Sequence, residues 1–196
     1  MNREEWLTLS AEHISTKIVM PAAGMHMKDM PKYRVSVGFP KGSRGGRKAI
    51  GQCWPDTFSS DGSREVFICP TLTADNALAV LVHELIHVAD NCKSGHKGFC
   101  KDVARKAGLV GKLTATNAGE ELTAKLQSIA KIAGTYPHAP MQDLKNRPKQ
   151  ATRLLKVACG ECGFVARASA KVAVPWSESD YNCCPLCEAP LSFSGI

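Results

Sequence analysis

The chain has no apolar stretch long enough to cross a bilayer. Its longest markedly apolar run is Ala77 to Val82, whereas a spanning helix needs about 20 residues. The opening Met1-Asn2-Arg3-Glu4-Glu5-Trp6 carries two acids where a secretory signal would carry an apolar core. Internal repeats and low-complexity tracts are absent as well. An intracellular, cytoplasmic protein with no membrane partner is expected. Acidic side chains are in deficit, 18 against 25 Lys and Arg, for a formal charge of +7. Histidine is scarce, with six in 196 residues.

The hydrophobic fraction of 44% is enough for a real core, and the length allows one medium domain with a small appendage. Residues 1–143 hold 18 basic and 14 acidic side chains, a net of +4. Residues 144–196 hold 7 and 4, a net of +3, with every base between Lys145 and Lys171. So local an excess favours a polyanion partner. The nine cysteines are odd in number, which, without an export signal, argues against a disulfide scaffold.

His83-Glu84-Leu85-Ile86-His87 is the most informative segment. Residues four apart share one helix face, so two imidazoles can grip one metal ion. Glu84, about 100° around the axis, then stands beside any water on that metal. Two nitrogen ligands, an open coordination position and a neighbouring carboxylate are what a zinc hydrolase needs. From Ala77 to Ala89 the segment is apolar around most of its circumference. It reads as a buried helix, starting near Thr73 or Asp75, whose three polar groups must find partners.

A catalytic zinc usually has three protein ligands. His96, separated from His87 by eight residues and a Gly-containing loop, is the leading third ligand. Asp90 and Cys92 are its rivals.

The remaining pattern predicts a mixed α+β fold. An N-terminal helix is expected over residues 3–20 and a loop from Pro21 to Pro31. Strands are expected at 33–39, 49–54 and 65–69, with a basic loop at 40–48. Helices follow at Phe99–Leu109 and Gly119–Ala133, then a Pro-bracketed turn at 134–140. Three regions are expected: a domain at 1–143, a basic linker at 144–156 and a cysteine module at 157–196.

In that module Cys159-x-x-Cys162 and Cys184-x-x-Cys187 are separated by 21 residues, a spacing typical of a zinc ribbon in which four thiolates hold one structural ion. Cys183 adjoins the second pair and is the alternative to Cys184. Lys145, Arg147, Lys149 and Arg153 are candidates for phosphate contacts. Trp176 and Tyr181, expected in a loop between the pairs, are candidates for stacking on bases. Lys156 and Arg167 can equally balance the thiolate charge.

The order of these pieces resembles the SprT-like metallopeptidases, the family that includes the DNA–protein crosslink protease Spartan. The likeness rests on Gly51-Gln52-Cys53-Trp54, Val66-Phe67-Ile68-Cys69-Pro70, His83-Glu84-Leu85-Ile86-His87, His96-Lys97-Gly98-Phe99 and the four-cysteine module. Tyr136-Pro137-His138, Lys149-Gln150-Ala151-Thr152-Arg153 and Cys159-Gly160-Glu161-Cys162-Gly163-Phe164 look like a prokaryotic and phage-borne group of that family. Lys97 departs from the pattern, standing where many relatives have glycine.

The resemblance implies a minimal zincin-like core with His83, His87 and His96 on a catalytic zinc and Glu84 as general base. It also implies protein substrates bound or crosslinked to DNA. Tyr136 and His138 are candidates for a further oxyanion donor. The competing expectation is a non-enzymatic, nucleic-acid-associated zinc module, for which an intact Glu84 would have no use.

Overall fold

A computed structural model describes residues 1–41, 49–142 and 154–195, which fall into two compact units divided between Lys145 and Asn146. Both helices and small sheets are present, an α+β arrangement. None of the helices among the described residues is long and apolar enough to cross a membrane.

The first helix, α1 (Arg3–Ile14), begins with a reciprocal cap. Asn2 Oδ1 accepts the Glu5 N–H at 2.8 Å, and Glu5 Oε2 accepts the Asn2 N–H at 2.8 Å. Trp6, Leu7, Ala11 and Ile14 recur at helical spacing and are buried. Trp6 also donates its indole N–H to the Gly134 carbonyl at 2.9 Å.

The helix does not stop at Pro21, as its sequence suggests. A π-helical turn at Ser15–Val19 leads into α2 (Met20–Ala23), which ends at Gly24 with φ 68°. Proline lacks an N–H to donate, and the widened turn just before it shifts the hydrogen-bond pattern where that donor is missing.

Three strands form the main sheet: β1 (Tyr33–Val37), β2 (Gly51–Trp54) and β3 (Arg64–Ile68). β3 is central, parallel to β1 and antiparallel to β2, so among the described residues β2 is an edge. Against β2 and β3 lies α3 (Ala74–Ala89), with Thr73 at its N-cap position. Leu78, Leu81, Leu85 and Ile86 are completely buried, and truncating such a side chain typically costs about 2–5 kcal/mol. The helix carrying the candidate ligands is therefore a well-anchored platform.

The helix α4 (Gly98–Lys106) is shorter than its sequence suggests. Leu109 instead opens a hairpin of β4 (Leu109–Lys112) and β5 (Ala115–Ala118), followed by α5 (Glu120–Ala133). The two-residue turn Leu113-Thr114 lacks the Asn-Gly or Asp-Gly signature of such hairpins, so the local pattern concealed it.

In the second unit β6 (Leu155–Cys159) lies between β7 (Val165–Ala168) and β8 (Leu191–Ser194). Leu155 and Lys156, expected in the linker, belong to β6. The segment between the cysteine pairs is not simply a loop: it contains the helix α6 (Ala170–Ser177).

Candidate metal centres

One turn of α3 separates His83 from His87, and their Nε2 atoms are 3.2 Å apart. His96 Nε2 lies 3.2 Å from His83 Nε2, and all three potential ligand nitrogens fall within 4.8 Å of one another. Burial is the main cause holding the His83 imidazole down to about 3 and His87 to about 4, with neighbouring imidazoles adding to it. Both are therefore neutral at physiological pH, the form a metal requires.

His96 reaches this position because the chain reverses after α3. Asn91, Cys92, Gly95 and Gly98 all have left-handed backbone, with φ of 55°, 59°, 53° and 45°. Asn91 anchors the reversal: its Oδ1 accepts from Arg64 Nε at 3.0 Å and from the Asp56 N–H at 3.1 Å, and its Nδ2 donates to Asp56 Oδ1 at 2.9 Å. The rival ligands lie outside the cluster. Asp90 Oδ2 accepts the Ser94 N–H at 2.9 Å, and Cys92 Sγ lies 3.6 Å from the Cys53 carbonyl oxygen.

Thr116 is a participant that the sequence did not reveal. Its hydroxyl is 3.1 Å from His83 Nδ1, so Nδ1–H donates to it when Nε2 keeps its lone pair for a metal. Such supporting hydrogen bonds fix a ligand's tautomer and orientation, and their loss typically weakens metal affinity about 10–100-fold. Thr116→Val is therefore expected to lower affinity at the histidine centre within that range and to leave the cysteine centre unchanged. Competition titration against a metal chelator measures both.

Glu84 is 6% exposed. Burial is the leading cause pushing its carboxyl up to about 8, and the Cys53 N–H opposes the shift by donating to it. A divalent ion among the imidazoles would draw the value down again. Gly51 permits the close approach of β2, since a Cβ there would collide with Glu84 Oε1 and Val80 Cγ1.

Above the imidazoles is a cleft of about 330 Å³, lined by Gly51, Val80, His83, Glu84, His96 and Thr116 among others. Tyr136 and His138 do not line it. Tyr136 packs on Trp6 with ring centroids 4.7 Å apart. His138 Nε2–H donates to the Pro70 carbonyl at 2.8 Å, and its Nδ1 accepts from Arg3 at 3.2 Å. Both are engaged in the packing of the first unit, the structural alternative to an oxyanion role.

In the second unit the sulfurs of Cys159, Cys162, Cys184 and Cys187 gather within 4.8 Å of one another. Cys159 and Cys187 are 3.6 Å apart, and Cys162 and Cys184 are 3.5 Å apart. Cys183 is exposed and stands outside this group, pairing through its backbone with Pro190. The Cys162 N–H, helped by that of Glu161, holds the Cys159 thiol down to about 7. N–H groups of Phe164 and Ala189 act on Cys162 and Cys187 in the same direction, but the crowded neighbouring thiols outweigh them, leaving Cys162 raised and Cys187 pushed up to about 12. A metal ion among the four sulfurs would favour the thiolate form.

Trp176, a candidate for base stacking, is built into this unit. Its ring meets Phe193 nearly edge-on at 5.5 Å, and its N–H donates to the Tyr181 carbonyl at 2.9 Å. Tyr181 is 82% exposed. The nucleic-acid candidates Lys145, Arg147, Lys149 and Arg153 lie outside the described residues.

Comparison of the chain with protein-family models, with curated proteins and with solved structures finds no match.

Proposed function

We propose that the chain is a zinc-dependent endopeptidase of SprT-like type, acting on DNA-associated or DNA-crosslinked proteins. The carrying observation is the convergence of His83, His87 and His96 beside a buried carboxylate, at the floor of an open cleft. Zinc–nitrogen bonds of about 2.0–2.1 Å in a tetrahedron put ligand nitrogens about 3.3 Å apart; His83 Nε2 stands 3.2 Å from the Nε2 atoms of both His87 and His96. Zinc–sulfur bonds of about 2.3 Å give sulfurs about 3.8 Å apart, near the 3.6 Å of Cys159 and Cys187 and the 3.5 Å of Cys162 and Cys184. Three imidazoles at one centre and four thiolates at the other also suit zinc by ligand type. One zinc is then catalytic and the other structural, the second unit being a zinc ribbon.

A bound zinc ion supplies Lewis acidity in the cleft, polarising a carbonyl and acidifying water. Glu84 handles the proton, accepting it from the attacking water and returning it to the leaving amine nitrogen. The Cys53 N–H steadies the carboxylate, and Thr116 holds the His83 ring. Among the described residues β2 is an edge strand of its sheet and lines the cleft through Gly51, and an extended peptide can add to such an edge as a further strand. A scaffold with no catalytic task gains nothing from burying Glu84, because an isolated buried carboxylate is costly.

For DNA, the net positive charge is joined by one local feature. Lys156 and Arg167 stand directly opposite one another in β6 and β7, a like-charge pairing that a nearby anion relieves, whether a phosphate or the thiolate centre itself. The test of the proposal is to compare wild type with Glu84→Gln on an unfolded protein substrate, with single-stranded DNA present. Equal cleavage by the two removes the peptidase reading.

A further inference from the structure

Cys53 and Cys92, scattered in sequence, meet beside Glu84. Cys53 is on β2, and Cys92 is in the reversal after α3. Cys92 Sγ lies 3.6 Å from the Cys53 carbonyl oxygen, which brings its side chain onto the residue that carries the other thiol, while Cys53 Sγ lies 3.8 Å from the Trp54 carbonyl oxygen. Both are half-buried free thiols. Neither belongs to the candidate metal clusters.

The backbone at Cys92 is a second, independent observation. Its φ of 59° follows one of 55° at Asn91. Asparagine enters that region readily, but a cysteine there is uncommon. Arg64 and Asp56 hold Asn91 in place, so the unusual turn is imposed by its surroundings, and it turns the Cys92 side chain toward β2. Strain of this kind collects at functional sites.

We propose that Cys53 and Cys92 form an oxidisable dithiol that a hydroperoxide converts to a disulfide, and that this bond regulates the neighbouring peptidase centre. Cys92, the less enclosed of the two, reacts first. Its thiolate sulfur attacks a peroxide oxygen, the O–O bond breaks, and the other oxygen leaves as water or an alcohol after taking up the thiol's proton. Cys92 is then a sulfenic acid. The Cys53 sulfur attacks that sulfur, an S–S bond forms, the S–O bond breaks, and hydroxide departs with the Cys53 proton as water. Two electrons have passed from the sulfurs to the peroxide. A dithiol reductant reverses the change by exchange.

The Cys53 N–H donates to Glu84, and the turn carrying Cys92 leads to His96. A bond between the two cysteines therefore acts on both the general base and a metal ligand. The regulatory half rests on the peptidase reading; the disulfide itself does not.

The test treats the zinc-loaded full chain with hydrogen peroxide, blocks remaining thiols with iodoacetamide, and maps the digest by mass spectrometry. A Cys53–Cys92 peptide pair lacking two hydrogen atoms is expected, absent from both Cys92→Ser and Cys53→Ser. Dithiothreitol should return both as alkylatable thiols. Peptide hydrolysis should fall several-fold on oxidation of wild type and not of Cys92→Ser. Finding both residues alkylated after peroxide, or joined to Cys69 or Cys100, overturns the proposal. A mapped disulfide in a protein that hydrolyses nothing even when reduced supports the dithiol site and refutes the peptidase reading. A mapped disulfide that leaves hydrolysis unchanged refutes regulation.

Discussion

Replacing Glu84 by Gln is expected to reduce peptide hydrolysis by about 10²–10⁴-fold, the range associated with loss of a positioned general base, while metal content stays as in wild type. Glutamine has the same shape, so it keeps the space beside Gly51 and can still accept the Cys53 N–H. What it loses is the ability to take a proton. Burial already disfavours the charged carboxylate, so the variant should fold at least as stably as wild type. A melting curve and a metal assay separate this outcome from simple misfolding. Unchanged hydrolysis would assign the proton transfer to another group.

The second large effect concerns the cysteine unit. Its buried apolar cluster consists of Val157, Cys159, Cys184 and Leu191, with a few partly buried side chains around it. Two of those four residues are themselves candidate ligands. So small a core cannot offset chain entropy by itself, whereas structural zinc contributes about 10–16 kcal/mol in comparable small units. Replacing Cys159 and Cys162 together by Ser is expected to remove one metal ion per chain. Amide hydrogen exchange across residues 154–195 should become fast, while exchange in Leu78–Val88 stays slow. Retained protection in β6 and β8 would mean that packing alone holds the unit together.

Much of the histidine centre was legible because its information is local. His83, Glu84 and His87 lie on one helix, and 3.6-residue periodicity alone relates their directions. His96 was harder, since the path back to the other two rings depends on left-handed backbone at Asn91 and Cys92, and a cysteine does not announce that conformation. Cys184 could be preferred over Cys183 from the Cys-x-x-Cys spacing. Thr116 was out of reach: it arrives on a hairpin whose turn has no glycine or asparagine, from 33 residues beyond its partner. The approach of Gly51 to Glu84 and the meeting of Cys53 with Cys92 are likewise long-range consequences of packing β2 on α3. Pro21 misled for a different reason, because a π-helical turn lets the helix run past it.

The most direct measurement is anomalous X-ray scattering at the zinc edge from crystals of the zinc-loaded full chain. Two peaks are expected, one bonded to Nε2 of His83, His87 and His96 with solvent in the fourth position, the other among the four cysteine sulfurs. Absence of the first peak, with the three rings turned apart, would contradict the account at its centre.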